Sequence, residues 1–216
     1  MSYFMLKARD PFSSFSHFFG AFLSLIGMFF LIFKVSTAPS FHISHLVASI
    51  VFCLSLLALY NASGIYHFVK VSPTALQRFR KLDHAMIYVL IAGTYTPALL
   101  GCLPANHAIW LTIAIWVLAA IGIIIKMFWL NAPRWLSTAM YIAMGWFIII
   151  DIQNLILTPL AAFLLIAGGI SYTIGGIIYA IKKPNITATF GFHEIFHLFV
   201  LLGSILHYFF VYVTIV

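Results

Sequence analysis

The chain has 216 residues, of which 64% are hydrophobic and 7% charged, against about a quarter charged in a soluble domain. That composition excludes a water-soluble globule. It also excludes a disulfide scaffold, since the only two cysteines, Cys53 and Cys102, fall in apolar runs. The net charge of +7 would point to nucleic acid in a soluble protein. Here it follows from lysines and arginines kept in loops on one side of a membrane, so no nucleic-acid partner is expected.

Seven apolar stretches reach the ~20 residues that a bilayer-spanning helix needs. They cover about residues 14–35, 44–69, 82–102, 108–128, 135–152, 158–181 and 192–215. The first is too long for the core of a signal peptide and lacks a small-residue cleavage site, so it reads as a retained span. The breaks carry turn chemistry or charge, as in Ala38-Pro39-Ser40, Val71-Ser72-Pro73, Asn131-Ala132-Pro133 and Lys182-Lys183-Pro184-Asn185. No connector has room for a soluble domain. The sequence predicts one all-α domain over residues 1–216, a seven-transmembrane helical bundle.

Orientation follows from the basic residues. Lys7, Arg9, Lys70, Arg78, Arg80, Lys81, Lys126, Arg134, Lys182 and Lys183 all fall on one side of a seven-span chain, and only Lys34 falls on the other. The positive-inside rule then places the N-terminus in the cytoplasm and the C-terminus outside. With that topology, His17 at the start of span one, His67 at the end of span two, Asp83 and His84 at the start of span three, and His193, Glu194 and His197 at the start of span seven share one depth near the inner leaflet. Polar groups inside a bilayer are costly and tend to be functional.

His193 and His197 stand four apart, which stacks them on one helix face. With His67 they make three imidazoles at one level, and we read them as ligands of a zinc ion. Three protein ligands leave a fourth position open, the catalytic arrangement, and zinc lowers the pKa of a water there to ~7. Asp83 has the depth expected of a general base. Glu194 is the alternative, but one residue beyond His193 it is turned about 100° around the helix. Ser63, one turn deeper than His67, either stabilises an oxyanion or bonds its own backbone. A bland alternative for the whole set is a hydrogen-bonded polar cluster that locks helix packing.

His193-Glu194-Ile195-Phe196-His197 also matches H-E-x-x-H of zinc proteases, but Val200 and Gly203 stand where a metzincin continuation needs Gly and His. His207 lies ~21 Å along the helix from His193 and is read as an outer packing residue. His42, His45 and His107 carry no spacing signal.

The run Leu82-Asp83-His84-Ala85-Met86-Ile87-Tyr88-Val89-Leu90-Ile91-Ala92-Gly93-Thr94-Tyr95-Thr96-Pro97 resembles the third span of hemolysin III proteins, the bacterial branch of the progestin and adiponectin receptor family. Gly191-Phe192-His193-Glu194-Ile195-Phe196-His197 is similar to their last span, Ser63-Gly64-Ile65-Tyr66-His67 to the end of their second, and Ser16-His17-Phe18-Phe19-Gly20-Ala21 to the beginning of their first. The resemblance implies zinc on His67, His193 and His197, with Asp83 holding the coordinated water and Ser63 beside it. The wider superfamily includes alkaline ceramidases, which implies hydrolysis of a lipid amide. Family members often carry paired glutamates before span one, where this chain has only Asp10.

The expectation is therefore a zinc-containing protein of the bacterial inner membrane that acts on a lipid amide or ester, with membrane lipids as partners. Two alternatives are a lipid-sensing receptor with structural zinc and a pore-forming hemolysin. The latter fits poorly with so apolar a chain.

Overall fold

The structure, a computed structural model, describes residues 7–187 and 189–215. Seven helical segments follow one another: α1 (Pro11–Ser36), α2 (Ile43–Phe68), α3 (Pro73–Cys102), α4 (Ala105–Phe128), α5 (Arg134–Gly145) with a 3₁₀ continuation (Phe147–Asn154), α6 (Pro159–Ile181) and α7 (Phe192–Thr214). All seven are long and apolar enough to cross a membrane, and among the described residues there is no strand. The protein is an all-α integral membrane protein. Three helices begin with proline at the first turn, where its missing N–H costs nothing. Two of those starts are capped: the Ser72 and Thr158 hydroxyls accept from the backbone N–H groups of Ala75 and Ala161.

Two elements depart from the sequence expectation. Helix α3 begins at Pro73, well ahead of the apolar run that starts near Leu82. The Ser72 cap and Pro73 start the helix early, and its first turns carry Arg78, Arg80 and Lys81 at the membrane boundary. Span five, expected to run unbroken through Ile152, is α-helical only to Gly145. The Tyr95 hydroxyl of α3 donates to the Gly145 carbonyl (2.8 Å) and accepts from the Ile148 N–H (2.9 Å). A side chain inserted in the backbone ladder in this way is a known cause of kinks. Asp151, just beyond, has non-helical dihedrals (φ −126°, ψ 29°).

Consecutive helices pack side by side, α7 returns against α1, and α3 also touches α5 and α7. Helix α3 is the most buried of the seven. One apolar core gathers Phe52, Leu56, Tyr60, Leu90, Phe210 and Val211, and a second gathers Tyr88, Tyr95, Leu99, Ile115 and Met144. Polar contacts tie helices together inside them. Tyr60 donates to the Ser204 hydroxyl (2.7 Å), and the Tyr172 hydroxyl meets the same atom at 2.7 Å. Cys53 and Cys102 are buried and free. The outer surface is a belt of exposed Phe and Ile, including Phe22, Phe29, Phe33 and Phe163, as a lipid-facing surface requires.

Close approach of α2 and α3 depends on Gly93, where an added Cβ would collide with the Ser55 side chain. Gly93→Ala should destabilise the protein by about 1–3 kcal/mol through overpacking. Gly145→Ala, where a Cβ meets nothing within 4 Å, should stay within about 0.5 kcal/mol of wild type. Thermal unfolding of both variants in detergent checks the contrast.

Candidate metal centre

The alternation of seven helices brings the start of α1, the end of α2, and the starts of α3 and α7 to one end of the bundle. His67, next to last in α2, is fixed there from outside the helix. The backbone N–H groups of Arg9 and Asp10 donate to the carbonyls of Phe68 (3.1 Å) and His67 (2.9 Å), docking the segment before α1 on the end of α2. The Asp10 carboxylate then accepts from His67 Nδ1 at 2.9 Å. Arg9 holds the same oxygen through Nε (3.0 Å) and Nη2 (2.8 Å) and stacks over the Tyr66 ring. Burial works against charge on Asp10, yet the bonds from His67 and Arg9 prevail and hold its pKa down, to about 2. A carboxylate on Nδ1 fixes the proton there and leaves the Nε2 lone pair of His67 free.

That Nε2 lies 3.3 Å from Nε2 of His193. The His67, His193 and His197 rings form a nearly equilateral triangle, with centroids 5.0, 4.9 and 4.7 Å apart. Each of the three residues offers a nitrogen within 4.8 Å of the others, a group that could hold a metal ion. His67 and His197 are each only 2% exposed. Both ring nitrogens of His17 are buried with no hydrogen-bond partner, while His197 is in contact with the backbone of Ser13. Buried nitrogens without partners are uncommon in a folded chain. The His17 ring stacks on that of His197, with centroids 3.8 Å apart and planes at 20°. His17, which the sequence placed only at the same depth, thus lies against a member of the triad.

Glu194 is engaged elsewhere. It closes the first turn of α7 by accepting from the Gly191 N–H (2.9 Å), and its other oxygen accepts from the Ser13 hydroxyl of α1 (3.1 Å). Asp83 instead borders a cavity of about 160 Å³ that is also lined by Ser63, His84, His193 and His197. Its carboxylate lies 3.2 Å from His84 Nδ1 and interacts with Ser63. The rest of that cavity is mostly apolar and runs between α3, α5, α6 and α7 as far as His207. The ring read from the sequence as an outer packing residue therefore closes the far end of the same space, with Nε2 3.2 Å from the Leu165 carbonyl.

Sequence reasoning brought together the triad, Asp83 and Ser63, and the structure places all five at this end. It missed the role of Asp10, whose only signal was an acid directly before the first helix-opening proline. It also missed the pair at the opposite end, where His107 Nδ1 meets Asp151 at 2.7 Å, with Asn154 bonded to the other carboxylate oxygen at 2.6 Å. An aspartate inside an apolar run was the available signal.

A profile of the family described as Haemolysin-III related matches residues 5–208. The chain is 40% identical over 196 residues to Hemolysin-3 of Bacillus cereus, covering 90% of this chain and 86% of that protein. It is 38% identical over 192 residues to the Hemolysin-3 homolog of Bacillus subtilis (strain 168), covering 88% and 86%. More distantly, it is 28% identical over 167 residues to the human monocyte to macrophage differentiation factor, covering 74% of this chain and 66% of that protein.

If the triad holds a metal, each of His67→Ala, His193→Ala and His197→Ala should abolish stoichiometric binding of a divalent transition metal. Asp10→Asn should weaken it by about 10–100-fold, the usual cost of losing the partner that orients a ligand. Metal titration of the purified variants reads both effects.

Proposed function

The chain belongs to the haemolysin-III-related family of integral membrane proteins, and on that footing we propose that it is a zinc-dependent hydrolase of a lipid amide or ester. Its metal end and N-terminus face the cytoplasm in this reading, supported by ten of eleven basic residues falling on that side. The relatives from bacilli support a bacterial inner-membrane location.

One observation carries the proposal: three imidazoles converge, two of them buried, and two of them, His193 and His197, line an apolar cavity that also holds a carboxylate and a hydroxyl. The residues fit zinc. Two nitrogens bound tetrahedrally at about 2.0–2.1 Å stand roughly 3.3 Å apart, and the facing Nε2 atoms of His67 and His193 are 3.3 Å apart. Neutral imidazole is the required ligand form, and the Asp10 bond presents His67 with Nε2 free. His67, His193 and His197 would hold the ion, which would polarise a substrate carbonyl and make a water acidic enough to react at neutral pH.

The chain's own groups supply the rest. Asp83 takes the proton released as water adds to the carbonyl and returns it to the departing nitrogen or oxygen. His84, bonded to Asp83, holds that carboxylate in place. Ser63 donates to the developing oxyanion. The apolar walls bind the chain of the lipid and exclude bulk water, which strengthens each of these polar contacts.

A second reading, lysis of membranes, is supported by the name of the Bacillus cereus relative. Purified protein would then release dye from liposomes at low protein-to-lipid ratio.

Under the hydrolase reading, turnover of a lipid amide or ester should stop on chelation and return with zinc. Asp83→Asn should lower kcat by about 10²–10⁴, and Ser63→Ala by roughly 10², with both variants retaining metal. Product formation unchanged by zinc removal or by Asp83→Asn would reject the proposal.

A further inference from the structure

The cavity carries a second polar feature that the hydrolytic groups do not use. Arg80, Lys126 and Arg134 also line it, and they come from three different helices. Lys126 is only 3% exposed although it lies near the end of α4. Its Nζ donates to the neutral hydroxyl of Ser137 at 2.7 Å. The Arg134 guanidinium lies over the rings of Tyr179 (5.2 Å) and Phe192 (5.6 Å), and its Nη1 is buried with no hydrogen-bond partner. Tyr179 in turn lies 5.8 Å from the His193 ring, so the guanidinium is one aromatic side chain away from the triad.

Cations drawn out of water, here Lys126 wholly and Arg80 and Arg134 in part, are ordinarily paired, and the chain has no acid left to pair them with. It contains four acids, Asp10, Asp83, Asp151 and Glu194. Their close partners are, respectively, Arg9 and His67, His84, His107 and Asn154, and Ser13 with the Gly191 N–H. Among the described residues no carboxylate lies within ion-pair distance of Arg80, Lys126 or Arg134. Membrane topology accounts for basic residues in hydrated loops, but it does not require a lysine enclosed in the protein or a guanidinium nitrogen cut off from water.

We propose that Arg80, Lys126 and Arg134 form an anion subsite beside the histidine triad, and that the occupant of the cavity is a lipid whose headgroup ends in a phosphate monoester, the dianion that three cations suit. The planar fork of arginine suits phosphate oxygens, and lysine adds a point charge. Three cations suit a phosphate better than a single carboxylate. The apolar remainder of the cavity takes the acyl chain, which favours a lipid over free phosphate. The inference rests on the hydrolase reading for its substrate class, but its test reads binding alone, so the two can fail separately.

The experiment measures affinity of the purified full-length protein in neutral detergent, by intrinsic tryptophan fluorescence, for three probes. These are short-chain phosphatidic acid, phosphatidylcholine of the same chain length, and inorganic phosphate. The phosphatidic acid should bind at least about tenfold more tightly than the phosphatidylcholine, as expected for charge-assisted hydrogen bonds. Inorganic phosphate should compete only weakly. Arg134→Gln and Lys126→Met should each bring the two lipids within about twofold of one another while the bound metal stays unchanged. Lys126→Met should also unfold at a higher temperature than the unliganded parent, because it removes an unpaired buried charge; a lysine serving only to hold the helices together would give the reverse. Arg80→Gln, at a half-buried position, reads the same preference if either of the other variants fails to fold. Equal affinity for the two lipids, or a preference that survives all three substitutions, overturns the subsite. Inorganic phosphate binding as tightly as phosphatidic acid overturns its assignment to a lipid.

Discussion

Every polar group placed within a bilayer must find its partner inside the protein, and this constraint organises the molecule. The chain has four acidic residues, and each is committed to a particular contact. Asp10 tethers His67, Glu194 closes the start of α7 and reaches α1, Asp151 pairs with His107, and Asp83 faces the cavity. Several hydroxyl groups follow the same rule. The Tyr60, Tyr172 and Ser204 side chains join three helices around a single oxygen, and Tyr95 serves backbone groups on both sides of the break in span five. Among the buried polar atoms that lack partners, the nitrogens of His17 and Arg134 belong to residues lining one cavity, whereas Arg9 Nη1 and the hydroxyls of Ser49 and Thr112 lie outside it.

The break in span five bears on that cavity. Gly145 and Trp146, at the end of the regular part of α5, are among its lining residues. By drawing Gly145 toward α3, Tyr95 shapes the wall opposite the triad. The same helix α3 carries Arg80 and Asp83 near its start and Tyr95 roughly three to four turns further on, so one element supplies a cation, a carboxylate and the wall. This is why α3 is the most enclosed helix of the seven, and why its packing against α2 tolerates no side chain at Gly93.

Much of this was legible in the sequence. Apolar length gave the seven helices, and the i, i+4 pair of His193 and His197 could be joined to His67 because alternating spans set the depth of each end. Helix limits were less legible where tertiary contacts decided them. The early start of α3 depends on a serine cap and a proline that hydropathy does not weigh, and the 3₁₀ segment after Gly145 depends on a tyrosine fifty residues away. Asp10 escaped because its partner lies on another helix and no periodicity links them. Arg80, Lys126 and Arg134 were read only as markers of topology. Their lack of counter-charges becomes visible once the acids have been placed in space.

The clamp on His67 is delivered by residues that precede the first helix. Arg9 and Asp10 form no part of the membrane-embedded bundle, yet their backbone and side chains fix the orientation of a histidine within it. The tail is therefore mechanically coupled to the triad, and anything fused to it or binding it pulls on His67. Purification handles and reporter domains disturb His67 least when attached after α7, whose last described turn lies at the opposite end of the bundle from the triad.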